Sequence, residues 1–392
     1  MLLTVPTDYA EGFEKARLID PQLASNYIAH MLITDPAADA FVEQLYSQRP
    51  RQINQTLRVA MDMDEDALRD SPAFVREFFD HASTPPDWLD PAAFLPGIRM
   101  FHRNSPVVLA SMLAGTLVEG FSTNISKSFF ITGRLRDQGV RRLKQNNRHM
   151  IECFMPGGLE RTGDGWKLSV RVRIIHAQIR RLLDNSDDWD HDAWGAPVSA
   201  AHLGFAITAF SARLLRHMAN LGATYNDEES ESFMAVWRYT GHLMGIPDTI
   251  LFEDEAAALR LFEIGGMCEP TPGVESMVMA NALINSGPLL VGMTEPEIRR
   301  SFSKYVYRVS RALVGKPLSD QLMYPATPVV GVLPWFRMQM RYKAFVRKYL
   351  AKVAKQTNFT AFTSLLEVSA FDEAGISYRL PDHVHSEESS FW

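Results

Sequence analysis

The sequence predicts an all-α fold, and three features of the 392-residue chain support this prediction. Apolar residues recur at helical spacing along most of the chain, and few segments alternate with period two. β-branched residues rarely cluster, so a sheet of any size is not expected. The segment 106–121 is rich in Ala, Leu, Val and Met on every face, which is typical of a helix in the middle of a bundle.

The helices are delimited by apolar periodicity and by proline and glycine breaks. Residues 1–50 are amphipathic and predict N-terminal helices that pack on a core. Further helices are predicted over 60–82, 90–102, 106–121, 138–154, 168–183, from 199 onwards, and over 228–244, 294–313 and 331–355. Because no repeat and no clear linker interrupts this series, we expect one large helical domain.

Composition narrows the function classes. Hydrophobic residues make up 46% of the chain and charged residues 22%, as in soluble globular proteins. The net charge of −6 argues against nucleic acid as a partner, because phosphate binding needs a cationic surface. Two cysteines, Cys153 and Cys268, are too few for a disulfide framework or a covalent haem attachment. The N-terminus has no export signal, and no apolar stretch reaches the roughly 18 residues of a membrane span, so we expect a cytoplasmic protein.

The most specific local pattern is a histidine among arginines in the predicted helix 168–183. Arg173, His176 and Arg180 lie along one face of that helix, because they are spaced by three and four residues. A haem needs a neutral imidazole, apolar walls and cations near its propionates, and this pattern could supply all three. The adjoining sector of the helix is apolar and contains Val172, Ile175, Ile179, Leu182 and Leu183. The alternative is a solvated basic strip with His176 as an ordinary core residue.

A second basic cluster lies upstream, in the predicted helix 138–154. Arg141, Lys144 and Arg148 share one face of this helix, while Val140 and Leu143 point to the core. A lysine near a haem iron could act as a distal ligand or donate a hydrogen bond to bound O2. The alternative is an ordinary amphipathic surface helix.

The predicted helix 228–244 contains a third pattern. Trp237, Gly241 and Gly245 recur every four residues, which predicts a groove where another helix packs closely. Arg238 and His242 share the neighbouring strip. His242 is either a second metal ligand or a packing residue.

These patterns, in this order and at these spacings, resemble the latex clearing protein / MpaB-type oxygenase family, also described as rubber-oxygenase-like. The resemblance covers roughly residues 95–345. The matching segments are Thr132-Gly133-Arg134, Arg141-x-x-Lys144, Val170-Arg-Val-Arg-x-x-His176-Ala-x-x-Arg180 and Trp237-Arg-x-x-Gly241-x-x-x-Gly245-Ile. The resemblance implies a globin-like multi-helix bundle that encloses one haem b and cleaves isoprenoid double bonds with O2.

The family pattern also implies roles for individual residues. His176 matches the proximal haem ligand, and Arg173 and Arg180 match the arginines beside it, which we expect to bind the cofactor. Lys144 and Arg141 match the basic pair on the distal side, which we expect to contact the haem and to take part in catalysis.

Two positions depart from the family pattern. Gln145 stands where a threonine usually follows the distal lysine. The distal glutamate of rubber-cleaving members has no clear counterpart, and the nearest acids are Glu119 and Asp137. The leading hypothesis is therefore a haem b oxygenase acting with O2 on a small or membrane-derived apolar alkene. The alternatives are a non-catalytic haem-binding or apolar-ligand-binding protein and a helical interaction protein without a cofactor.

The resemblance divides the chain into an N-terminal helical extension (1–94), a haem domain (95–345), and a basic helix with a polar tail (346–392). Between Trp335 and Leu366 there is no acidic residue, although the whole chain is acidic. The basic residues of this segment interleave with aromatic and aliphatic ones, so the helix could dock on an anionic membrane surface. The alternative is a solvated helix whose apolar side packs on the domain.

Overall fold

The structure, a computed structural model, describes residues 3–49, 56, 65–132 and 139–349. Within these residues all regular secondary structure is helical and no strand occurs. The predicted all-α class is therefore confirmed.

The N-terminal part of the chain folds into short helices, and two of them begin at aspartate caps. Asp20 and Asp35 each accept a hydrogen bond from the backbone N–H three residues on, and a proline follows each of them. The helices are α1 (Ala10–Arg17), α2 (Pro21–His30), α3 (Pro36–Tyr46), α4 (Glu65–Arg69) and α5 (Ala73–Ser83). Helix α3 packs on α5, where the rings of Phe41 and Phe78 stack with centroids 4.5 Å apart.

The central part contains the segment that was predicted as one apolar helix over 106–121. It instead forms three pieces, because a π-helical segment interrupts the α-helical hydrogen bonding. The elements are α6 (Leu95–Arg103), α7 (Ser105–Ser111), π1 (Met112–Thr116), α8 (Leu117–Gly120), α9 (Ile125–Ile131), α10 (Gly139–Cys153) and α11 (Asp164–Asp184). The predicted helices 138–154 and 168–183 correspond to α10 and α11, and α11 begins four residues earlier than expected.

The remaining elements complete the bundle. They are α12 (His191–Trp194), α13 (Ala200–Thr208), π2 (Ala209–Arg213), α14 (Leu214–Asn220), α15 (Asp227–Leu243), α16 (Glu255–Cys268), α17 (Val274–Leu290), α18 (Pro296–Val314), α19 (Lys316–Gln321) and α20 (Val332–Tyr349). The sequence did not predict the helices α9, α12, α16, α17 and α19. The C-terminal part of the predicted helix 331–355 and the polar tail lie outside the described residues.

Gly245 corrects one prediction. It lies just beyond the end of α15 with φ of +82°, and the Ile246 N–H donates to Gly241 O at 3.1 Å, so Gly245 ends the helix. Of the two glycines, only Gly241 lies within the helix, and there its α-carbon faces Leu251 and Ile207. The expected groove of Trp237, Gly241 and Gly245 is therefore wrong as a continuous helix face.

The N-terminal helices pack directly on the central bundle. Helix α1 contacts α16, and α3 contacts α11. A buried polar cluster joins these parts, because Tyr27 Oη donates to Glu269 Oε1 at 2.6 Å and Tyr9 Oη lies 2.9 Å from His202 Nε2. The backbone N–H of Asn124 donates to the other oxygen of Glu269 at 2.9 Å.

None of the described helices is by itself long and apolar enough to cross a bilayer. The segments Ser105–Gly120 and Ile125–Ile131 meet the length and composition criteria only together, and they are bent by 94° relative to each other.

Candidate active site

Helices α10 and α11 form an antiparallel hairpin that brings two predicted site residues to one level. His149 Nε2 lies 2.8 Å from Ser169 Oγ, and Cys153 Sγ lies 4.0 Å from Gly165 O, which fixes the register of the two helices. Lys144 precedes His149 by five residues and His176 follows Ser169 by seven. At a rise of about 1.5 Å per residue, the two lie within about 3 Å of the same level along the hairpin.

His176 lies at the border of the buried face of α11. The centre of that face is fully buried and includes Trp166, Val170, Arg173, Ala177 and Arg180. His176, Val172 and Ile175 are only partly buried. A helix that is otherwise tightly packed therefore leaves an imidazole and two apolar side chains partly open.

Of the basic pair predicted on the distal side, the structure describes the side chain of Lys144 only. Lys144 lies on α10 and is partly buried. Arg141 lies in the first turn of α10, but its side chain lies outside the described residues. The roles of Lys144 and Arg141 beside a haem stay a prediction.

Arg173 and Arg180 have carboxylate partners on α3. Arg173 Nε and Nη2 donate to the two carboxylate oxygens of Asp35 at 2.5 and 2.9 Å, and these side chains are 7% and 6% exposed. Arg180 Nε donates to Asp39 Oδ1 at 2.7 Å, and its Nη1 donates to Val198 O at 3.3 Å. The solvated strip considered as an alternative is therefore wrong for these two arginines.

The carboxylate spacing on α3 explains these pairs. Asp35, Asp39 and Glu43 are four residues apart and lie on one face of α3, and Glu43 pairs with Arg181 at 2.9 Å. This acidic spacing of four residues is the signal in the sequence that could have identified the partners. The structure assigns Arg173 and Arg180 to the α3–α11 contact, and their contact with haem propionates stays a prediction.

The surroundings of His176 fit a haem ligand, whereas the two arginines beside it already have partners. A haem needs only one or two ligands from the protein. A single partly open imidazole flanked by apolar side chains therefore fits an axial ligand. Among the described residues no group of three His, Cys, Asp or Glu side chains could hold a metal ion. A haem does not need such a group. Arg173 and Arg180 already have carboxylate partners in Asp35 and Asp39, and a role for them at haem propionates stays a prediction.

Two further histidines near the hairpin have identifiable roles. Burial lowers the pKa of His149 to about 4, so the ring is neutral when it contacts Ser169. His242 stacks on Tyr239 with centroids 6.1 Å apart and meets the Trp88 ring edge-on at 5.9 Å. Of the two interpretations of His242, these contacts favour packing.

Glu119, one of the two acids near the missing family glutamate, lies in a buried cluster between the two π segments. Arg213 at the end of π2 donates to both of its oxygens, and His217 Nε2 lies 3.0 Å from Glu119 Oε2. Burial alone would raise the pKa of this carboxyl, but His217 and Arg213 outweigh burial and lower it. Glu119 is therefore held as an anion that joins π1 and α8 to π2 and α14. Asp137, the other nearby acid, lies outside the described residues.

The site lies within a region that matches a known family. The family model described as "ER-bound oxygenase mpaB/B'/Rubber oxygenase, catalytic domain" matches residues 99–347. The chain belongs to this family. Its membership identifies an oxygenase of the rubber-oxygenase type.

Individual relatives agree with this membership. A rubber oxygenase of Streptomyces sp. (strain K30) is 23% identical over 283 residues, which are 67% of this chain and 67% of that protein. The solved structure of latex clearing protein in the closed state superposes with a TM-score of 0.62 at 17% identity, covering 89% of this chain and 92% of that one. At this identity the structural match shows the helical fold alone.

Proposed function

We propose that this protein is a haem b-dependent oxygenase that uses O2 to oxidise or cleave C=C bonds of an apolar, isoprenoid-like substrate. The observation that carries the proposal is the partly open imidazole of His176, at the same level of the hairpin as Lys144. Family membership supplies the reaction class, and the rubber oxygenase relative suggests the polyisoprenoid character of the substrate.

The residues of the hairpin would have separate roles in the reaction. His176 would hold the haem iron, and the bound haem would supply the site of O2 activation. The apolar side chains of Val172 and Ile175 would exclude water beside the imidazole. Lys144, with Arg141 one turn earlier, would place hydrogen-bond donors on the opposite helix to orient the reacting molecules.

The substrate would be positioned by apolar contact rather than by charge. Leu109, Leu113 and Phe121, on α7, π1 and just after α8, are partly buried hydrophobic residues packed against the core. An alkene chain has no hydrogen-bonding group, so apolar side chains of this kind are the recognition elements that suit it.

Replacement of the proposed axial ligand tests the haem assignment. The wild-type protein, reconstituted with haemin, should show a Soret band, and His176→Ala should lose most of the Soret absorbance per protein. His191→Ala is the matched control, because His191 lies on α12 and its side chain is 53% exposed. If His176→Ala retains its haem and His242→Ala loses it, His242 is the ligand and the proposal for His176 is wrong.

Replacement of Lys144 distinguishes an oxygenase from a haem carrier. We expect Lys144→Ala to keep its haem but to reduce O2 consumption with an isoprenoid alkene by about ten-fold or more, since a positioned donor is lost. Arg148→Gln is the control on the same helix, because Arg148 is paired with Glu152 at 2.6 Å. Wild-type protein that binds haem but consumes no O2 with any isoprenoid tested would support the non-catalytic alternative.

A further inference from the structure

Helix α20 carries two apolar faces, and only one of them packs on the part of the protein that the structure describes. The inner face includes Val332, Phe336 and Met340, which are buried or packed against the core. Arg337 holds the inner face of α20 against the end of α14, because its guanidinium donates to Asn220 O at 3.3 Å.

The outer face of α20 consists of large apolar side chains that are more than half exposed. Trp335, Met338, Tyr342 and Phe345 are 54%, 53%, 68% and 60% exposed. Their spacing of three, four and three residues places them within a sector of about 80° on the helix. Exposed apolar side chains that adjoin in this way mark an interaction surface more often than a solvated one.

All charged residues in the sequence of α20 are basic. Arg341, which is exposed, lies at the edge of the sector. The sequence continues with Lys343, Arg347, Lys348 and Lys352, and no acidic residue occurs before Glu367. Tryptophan and tyrosine with arginine at the flank is the combination that suits the boundary between lipid headgroups and acyl chains.

We propose that the outer face of α20 docks on the surface of an anionic phospholipid bilayer. Trp335, Met338 and Tyr342 enter the headgroup region, and Arg341 contacts lipid phosphates. Positive charge complements an anionic leaflet, whereas a second copy docked through the same face would bring one basic surface against another. The proposal does not depend on the chemistry at His176.

Vesicle binding tests this surface. We expect the wild-type protein to co-sediment with vesicles of phosphatidylserine and phosphatidylcholine, but not with phosphatidylcholine alone. Binding should weaken with salt and fall by about five-fold in Arg341→Gln. The triple variant Trp335→Ser/Met338→Ser/Tyr342→Ser should lose roughly ten-fold or more for each large side chain removed. Leu18→Ser and Arg17→Gln are the matched controls, because these residues are also exposed, at the end of α1.

A reporter on the helix gives an independent measurement. Both natural cysteines are buried, so Met338→Cys can be labelled selectively with an environment-sensitive fluorophore. Its emission should shift to the blue with anionic vesicles, whereas a label at Leu18→Cys should not respond. The proposal is overturned if the triple variant binds anionic vesicles as tightly as the wild type does. It is also overturned if the label is already protected without lipid, which would show that a second copy or residues 350–392 cover the face.

Discussion

Arg173 shows how a single residue can look like a cofactor ligand in the sequence and have another partner in the structure. Its guanidinium donates two parallel hydrogen bonds to the Asp35 carboxylate, and both side chains are buried. Gly245 accommodates this pair, because a Cβ there would come within 2.1 Å of Asp35 Oδ2 and 2.6 Å of Arg173 Nε. The glycine thus both ends α15 and leaves room for the ion pair.

We expect Asp35→Asn to lower the free energy of unfolding by about 3–5 kcal/mol, because it leaves a buried guanidinium without its counter-charge. Asparagine still caps α3, so the loss reports the charge pair and not the helix cap. Urea unfolding at neutral pH measures the effect. Glu297→Gln removes one partner of an exposed pair with Arg300 and should cost less than about 1 kcal/mol. Equal losses in the two variants would contradict this assignment of the Arg173 pair.

The sequence predicted part of the site and missed the rest for a physical reason. Local spacing is enough to put His176, Arg173 and Arg180 on one helix surface, and the structure confirms that they lie on α11. Their partners are set by packing between α3 and α11, 138 or more residues away in the chain. A local pattern carries no information about which distant carboxylate will reach an arginine.

At the scale of elements, the two π segments are the features that helical periodicity could not predict. A π-helical segment contains the same apolar residues as the α-helix around it, so the prediction over 106–121 was continuous. The structure places π1 against π2 and joins them by Glu119, Arg213 and His217. The residue that permits this approach is Gly115, where a Cβ would lie 2.5 Å from the His217 ring.

We therefore expect Gly115→Ala to destabilise the protein by about 1–3 kcal/mol, the usual cost of overpacking a well-packed core. The His217 ring cannot easily give way, because Glu119 holds its Nε2. Gly120→Ala is the matched control five residues later, where a Cβ would meet nothing within 4 Å. Gly120→Ala should be neutral or stabilising by up to about 1 kcal/mol. Thermal unfolding of the two variants compares them, and a Gly115→Ala protein as stable as Gly120→Ala would refute the close approach.

At the scale of the whole molecule, the buried cluster around Glu269 ties the N-terminal helices to the bundle. Glu269 follows α16, Tyr9 and Tyr27 come from the N-terminal helices, and His202 lies on α13. Burial lowers the pKa of His202 to about 3, so its 3.7 Å contact with Glu269 joins a neutral ring to the carboxyl. Burial raises the pKa of Glu269 from 4.5 to about 7, and no cation among the described residues compensates it, although hydrogen bonds from Tyr27 and Asn124 oppose the shift.

This raised pKa predicts a stability that depends on pH. The folded state binds the Glu269 proton more tightly than the unfolded chain does, so the contribution is complete below pH 4.5 and is lost as the pH rises through about 7. Relative to Glu269→Gln, the wild type should therefore lose about 2–3 kcal/mol of unfolding free energy between about pH 5 and about pH 8. His149 and His202, whose pKa values are lowered by burial of the ring, act in the opposite direction, because their stabilisation is lost as the pH falls below 6.5. Their effect is the same in both proteins and cancels in the difference. Urea unfolding at the two pH values measures it, with Glu263→Gln as the control because that side chain is 59% exposed. Parallel stability curves for wild type and Glu269→Gln would mean that Glu269 is ionised in the folded protein. In that case the N-terminal helices are held to the bundle by a buried anion, and their docking does not respond to pH in this range.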